Sequence, residues 1–207
     1  IYDAAIANAT TAELASNGSG VKNARESVPF PIPQNGLEAV WNHILRFRGT
    51  SITQVYGQAS LTAGGGYTLV KIDEKILLPY HMPGGTTENT GNTLAYFLQT
   101  VTEPARLAGE ILLIHEPIDQ SAVTRKAWTY NPGLRRVRRA PNVAYDNPGT
   151  ASDGQRTNDN YDMFNGNTDR YDWQLLGRKE IYVPYNAYRL HSDKVKYADI
   201  LKPGHVN

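Results

Sequence analysis

"YTLVKIDEKILLPY", Tyr67 to Tyr80, decides the fold of this 207-residue chain. Val70, Ile72, Ile76 and Leu78 recur at every second position, so in an extended chain they share one face. Glu74 falls in the same phase and interrupts that apolar face with a carboxylate. The Gly-rich stretch "LTAGGG" joins this arm to "SITQVYGQAS", Ser51 to Ser60, and the two read as a hairpin.

The same period continues downstream. "TLAYFLQTVTEPARLAGEILLIHEP" reads as two further strands bent at Pro104, and "KAWTY-NPG-LRRVRR" as another hairpin. "RKEIYVPY" and "AYRLHS" supply one or two more strands within 174–207. Turn signals separate these runs at short intervals, as an antiparallel sheet needs, so residues 51–139 are assigned to the sheet. Upstream the period changes. In "GLEAVWNHILRFRG" the residues Leu37, Val40, Trp41, Ile44 and Leu45 make a helical stripe over 36–48, with Asn35 and Glu38 as its N-terminal cap and Gly49 as its stop. Residues 1–35 are small and polar and end in "PFPIPQN", which favours an extended lead-in. The expected fold is mainly β, of the α+β class: one domain, an open and strongly bent antiparallel half-barrel with one amphipathic helix packed on it.

Residues 140–173 carry no period but are dense in Asn, Asp, Gly and aromatics. A stretch this long inside a compact domain is functional or disordered, and its rings argue for an ordered flap over the sheet. Four arginines stand just before it: Arg135, Arg136, Arg138 and Arg139. From Leu134 to Asp172 there are six arginines and six aspartates, so the segment is locally neutral. Pairing of the strand arginines with loop aspartates is the reading preferred here. A headgroup or loop-anchoring role for Arg136 and Arg138 is the alternative. Nucleic acid is disfavoured, because neutrality removes the salt-dependent attraction it depends on, and the whole chain carries a net charge of only +1.

Other chemistry was sought. Without cysteine there is no disulfide, thiolate zinc site or thiol nucleophile. His43, His81, His115, His191 and His205 have no metal-ligand spacing. "NDNYDMFNGNTDRYD" is rich in oxygen ligands, but Tyr161 and Met163 stand where an EF-hand needs them. No nucleophile elbow, P-loop or dinucleotide fingerprint appears. Asp73, Glu74, Glu110 and Glu116 leave a glycosidase-like carboxylate pair as the remaining catalytic option. The reading is therefore no enzyme, no metal and no cofactor. The longest aliphatic run, Ile111–Ile114, falls far short of the roughly 20 residues that span a bilayer.

Several blocks, "WNHILRFRG", "YTLVKI", "VTEPARLAGEILLIHEP", "AWTYNPGLRRVRRAPNVAYDNPGTASDGQRT", "YDMFNGNTDRYDW" and "GRKEIYVPYNAYRLHS", closely resemble a family of Gram-negative periplasmic proteins catalogued as a domain of unknown function and labelled outer-membrane lipoprotein-sorting. The resemblance implies a fold like the LolA/LolB carriers, an export signal removed from the mature protein, and a periplasmic place, with the outer membrane's periphery as a further option. It makes this chain look like the central part of a longer protein. It also implies an outer-membrane protein or an inner-membrane exporter as possible partners.

Residues and resemblance meet in one expectation: a non-catalytic carrier for a lipid, a lipoprotein acyl chain or another hydrophobic ligand. Its lining is expected from Val70, Ile72, Ile76, Tyr96, Leu98, Ile111, Leu113, Trp128 and Tyr130 on the strands and Trp41 and Ile44 on the helix. A structural adaptor of an export complex and, less favoured, a carbohydrate-active enzyme are the alternatives.

Overall fold

The computed structural model describes residues 1–140 and 144–202. The start of the long loop at 141–143 and the last five positions, including His205, lie outside the described residues.

The chain is mostly β. Strands β3 (Ser51–Leu61), β4 (Tyr67–Leu77), β5 (Thr93–Glu103), β6 (Ile111–Pro117), β7 (Lys126–Asn131) and β8 (Arg136–Ala140) form one six-stranded antiparallel sheet in sequential order. It is an open meander, with β3 and β8 at its edges. The Gly-rich turn after Leu61 and the Asn-Pro-Gly turn after Tyr130 make their hairpins where the sequence places them. Earlier come helix α1 (Tyr2–Thr11), a small hairpin of β1 (Glu13–Leu14) and β2 (Val21–Lys22), and helix α2 (Gly36–Ile44).

Register assigns every side chain to a face. On the α2 side one row is apolar from edge to edge: Ile52, Ile76, Phe97, Ile114, Ala127 and Ala140. The next row is polar at its centre: Gln54, Glu74, Gln99, Leu112, Thr129 and Arg138. Helix α2 lays Trp41, Ile44 and Leu45 on the apolar end, against Ile76, Leu78, Leu94, Ala95 and Ile118. Each large side chain buried there contributes about 1.5–3 kcal/mol. A second, smaller cluster of Val70, Ile72 and Val101 sits toward the other end of the same face.

Three expectations change. Residues 1–35 are not an extended lead-in, because Asn8, 1% exposed, is bonded to the backbone of Arg25 and Val28 and holds α1 against the following coil. Helix α2 is capped by Asn35 and Glu38 as expected, but it ends at Ile44, before Gly49. Past this end, His81 sits between the Leu45 and Gly49 carbonyls, 3.1 Å from each. Residues 174–196 form no strand, and Ile181, Tyr182, Val183 and Tyr185 are exposed. A two-fold sequence period creates strand potential only, and a ladder needs a neighbour with free backbone groups.

Candidate functional site

Glu74 lies at the centre of the α2-side face and is fully buried. Its carboxylate accepts from Tyr56 Oη at 2.9 Å, Gln99 Nε2 at 2.9 Å and Tyr161 Oη at 2.7 Å, and also from Gln54 Nε2. Gln54 and Gln99 are its register partners on either side, Tyr56 comes from the next row, and Tyr161 comes down from the long loop. Four neutral donors thus take the place of a counter-ion, which is how a buried carboxylate avoids the cost of lost hydration. Burial first, and the Glu74 charge second, push the Tyr56 phenol well above its ordinary value. Tyr161 is raised too, by burial and then by its bond to Glu74. Both hydroxyls therefore stay protonated and keep donating.

A second buried carboxylate, Glu116 on β6, is matched by Arg125. Arg125 Nε stands 2.6 Å from Glu116 Oε2, an ion pair rather than a linear hydrogen bond, with both side chains under a tenth exposed. Gln120 donates to the other oxygen at 2.7 Å. Burial raises the Glu116 carboxyl, and Arg125 opposes that rise.

Residues 144–173 cover this surface, as the flap reading expected. They are held mostly by side chains. Gln58 donates to Thr150 O at 2.9 Å and to Ala151 O, and Arg156 donates back to Gln58 Oε1 at 3.0 Å. The Gln155 amide pairs with both backbone groups of Leu61 on the β3 edge. Arg46 at 2.7 Å and Arg48 share the Asp162 carboxylate. His43 Nε2 lies 2.8 Å from Asp162 O, and Arg125 Nη2 donates to Asn165 O at 3.3 Å. Phe164, Tyr171 and Trp173 stack edge to face at 4.9–6.0 Å. The segment then crosses the start of α2 at Gly36, where a Cβ would collide with the Trp173 carbonyl.

Between sheet and loop a cavity of about 70 Å³ remains. Ile76, Phe97, Leu112 and Ile114 form its floor, Ile44 and Leu94 one end, and Tyr161 and Phe164 its roof. Arg48, Arg125 and Arg156 reach its rim. A water needs roughly 10–15 Å³ by this measure, so the space holds a few waters, or a short apolar group, with the loop down. The hollow expected for an acyl chain is thus largely occupied by the protein's own flap.

The expected lining divides between two faces. Trp41, Ile44, Val70, Ile72 and Ile76 are on the α2 side, but of these only Ile44 and Ile76 line the cavity; the other three are core. Tyr96, Leu98, Ile111, Leu113, Trp128 and Tyr130 are on the opposite face, one residue out of the expected phase. Both faces of β5 and β6 are apolar, so alternation alone leaves the phase open, and pairing with β4 decides it, through Ile76 opposite Phe97 and Phe97 opposite Ile114. Phe97, Leu112, Ile114, Tyr161 and Phe164 stand where the missed residues were expected. Ile44, Ile76 and Glu74, which breaks an apolar phase, are the sequence signals that fall on this face.

The four strand arginines also differ from expectation. Arg136 and Arg138 share a face with Asn131 and Thr129, and Arg139 takes the other face. All four are exposed, and none forms an ion pair among the described residues. They line the free β8 edge, where charge discourages pairing with another sheet. The loop is anchored by Arg46, Arg48 and Arg125 instead. Of the loop aspartates, Asp159 accepts from Tyr171 at 3.2 Å and Asp169 from Tyr145 at 2.9 Å, and no acid or histidine cluster suited to a metal ion occurs among the described residues. Asp73 faces away from the cavity, in register with Val55 and Thr100. No described helix is long and apolar enough to cross a membrane.

The family model for proteins of unknown function called DUF1329 matches residues 1–207. An uncharacterized protein of Pseudomonas aeruginosa is 51% identical over 207 residues, covering 100% of this chain and 46% of that protein. Among solved structures, an outer membrane lipoprotein-sorting protein domain from Vibrio parahaemolyticus aligns with a TM-score of 0.45 and 19% identity, over 66% of this chain and 50% of that one. A DUF1329 family protein from Desulfovibrio piger aligns with a TM-score of 0.46 and 20% identity, over 72% and 57%. The chain spans about half the length of these relatives.

Proposed function

We propose that this chain, which belongs to the DUF1329 family, is a periplasmic binding or carrier domain for an apolar or amphipathic ligand taken up between the sheet and residues 144–173. The observation that carries this reading is the construction of the roof. Tyr161 and Phe164 close an apolar floor, yet the segment bearing them is attached mainly by side-chain hydrogen bonds and ion pairs. Breaking these side-chain contacts leaves the backbone ladder of the sheet intact, so the loop can open as a local unit, at the cost of the buried Tyr161–Glu74 bond. Lifting it uncovers the row Ile76, Phe97 and Ile114. An acyl chain laid there gains about 25 cal/mol per Å² of apolar surface removed from water. Arg156, which makes no ion pair among the described residues and donates only to neutral acceptors, suits an acidic headgroup at the rim. The role is uptake and release without catalysis, serving outer-membrane sorting or export.

Titration with a fluorescent fatty acid tests this. Phe164→Ala widens the roof and is expected to raise uptake. Leu112→Trp fills the floor and is expected to lower it at least tenfold, about 1.4 kcal/mol, with the fold retained by circular dichroism. If neither the wild type nor Phe164→Ala takes up the probe while both are folded, the reading fails and an adaptor role replaces it.

A further inference from the structure

The sheet face turned away from α2 has no part in the cavity, yet it is not a conventional polar surface. Three register rows cross it. The central row runs Thr53, Lys75, Leu98, Leu113, Trp128, Arg139: three large apolar side chains flanked by two cations. Beside it run Leu77, Tyr96, His115 and Lys126, with the His115 ring 4.8 Å from both Tyr96 and Trp128. On the other side run Asp73, Thr100, Ile111, Tyr130 and Val137.

Tyr96 is 37% exposed and Val137 66%, while Leu98, Leu113 and Trp128 are half-buried. The C-terminal segment touches this face at its far end, where the Tyr197 hydroxyl approaches Gly57. Across β5 to β8, Tyr96, Lys126, Val137 and Arg139 of this face remain exposed. A contiguous patch of this kind marks an interaction surface.

Its charge names the occupant. Lys71 is matched by Glu103 at 3.0 Å, and Asp73 is the other acid of the face. Lys75, Lys126 and Arg139 are exposed, make no ion pair among the described residues, and stand around the aromatic and aliphatic band. Cations around Trp and Tyr rings fit a plane that is apolar inside and anionic at its surface. Indole and phenol rings favour that boundary, and basic residues near an anionic leaflet are attracted to it. We propose that this face docks on an anionic lipid bilayer, with Leu98, Leu113 and Trp128 at the headgroup boundary and Lys75, Lys126 and Arg139 on the phosphates. The surface lies across the sheet from the cavity, so its test is independent of ligand uptake.

The experiment is co-sedimentation of the full chain with vesicles of phosphatidylglycerol and phosphatidylcholine, against phosphatidylcholine alone. Binding is expected to the anionic vesicles and to fall with salt. The triple variant Lys75→Gln, Lys126→Gln, Arg139→Gln is expected to lose on the order of 100-fold in partitioning while keeping its circular dichroism spectrum. Brominated lipid is expected to quench the wild-type tryptophan emission, and that quenching is expected to be lost in Trp128→Phe. Equal binding to both vesicle types, binding unchanged in the triple variant, or no binding by the wild type overturns the proposal. So does a dimer in solution that Trp128→Asp dissociates, which would assign the face to a second copy of the chain.

Discussion

The Tyr161 hydroxyl donates to Glu74 Oε1 over 2.7 Å, joining the middle of the long loop to the middle of the sheet. Glu74 accepts four such bonds and donates none. Replacing Tyr161 by Phe removes one donor and keeps the ring. Expected is a loss of about 1 kcal/mol of stability, with a larger effect on the loop, seen as faster proteolytic cleavage within 144–173. Cleavage at the wild-type rate would show that this bond does not hold the flap.

Glu74→Gln is the complementary change. It puts an amide donor among donors that need acceptors, so it is expected to cost about 1–3 kcal/mol in urea denaturation despite its near-identical shape. A neutral result would mean that these four side chains rearrange freely around the new amide.

Glu116 and Arg125 are a buried pair, so the two single replacements should cost more than the double. Arg125→Leu strands the carboxylate and is expected to cost about 3–5 kcal/mol at neutral pH. Because burial already raises the Glu116 carboxyl, that loss should shrink as pH falls and the group takes up its proton. The double variant Glu116→Leu, Arg125→Leu should recover most of the stability. Additive costs, or a loss that does not change with pH, would contradict the pairing.

His81 gives a signature of opposite sign. Desolvation lowers its imidazole below the ordinary value, against the pull of the Leu45 and Gly49 carbonyls. The unfolded chain therefore binds the proton first. The stability His81 contributes is complete above its ordinary pKa, about 6.5, and declines as pH falls below that value. His81→Gln should flatten this part of the stability profile between about pH 7.5 and about pH 5. Parallel profiles for variant and wild type would exclude His81 as the source.

Much of the frame was legible in the chain because it depends on local periods. The two-residue alternation around Val70 and Ile72, the glycines after Leu61 and the Asn-Pro-Gly after Tyr130 specify hairpins with no knowledge of distant residues. The helical stripe from Leu37 to Leu45 and the cap at Asn35 are likewise short-range. An ordered flap followed from its aromatics. The site was legible only in part. Ile44 and Ile76 fell in the right phase, whereas Trp128 and Leu98 did not, because strands apolar on both sides read alike in either phase.

What the sequence alone determined is therefore the open antiparallel meander, the covering helix and the presence of a structured loop, since each arises from contacts a few residues apart. Tertiary structure decided which oily face became the cavity and which stayed exposed. It also decided that the arginines of β8 remain unpaired while Arg46 and Arg48 hold Asp162. The physical reason is that a face is buried only by what folds back onto it. Here α2 and residues 144–173 cover the side bearing Glu74, whose fourth donor, Tyr161, is brought across from 87 residues away.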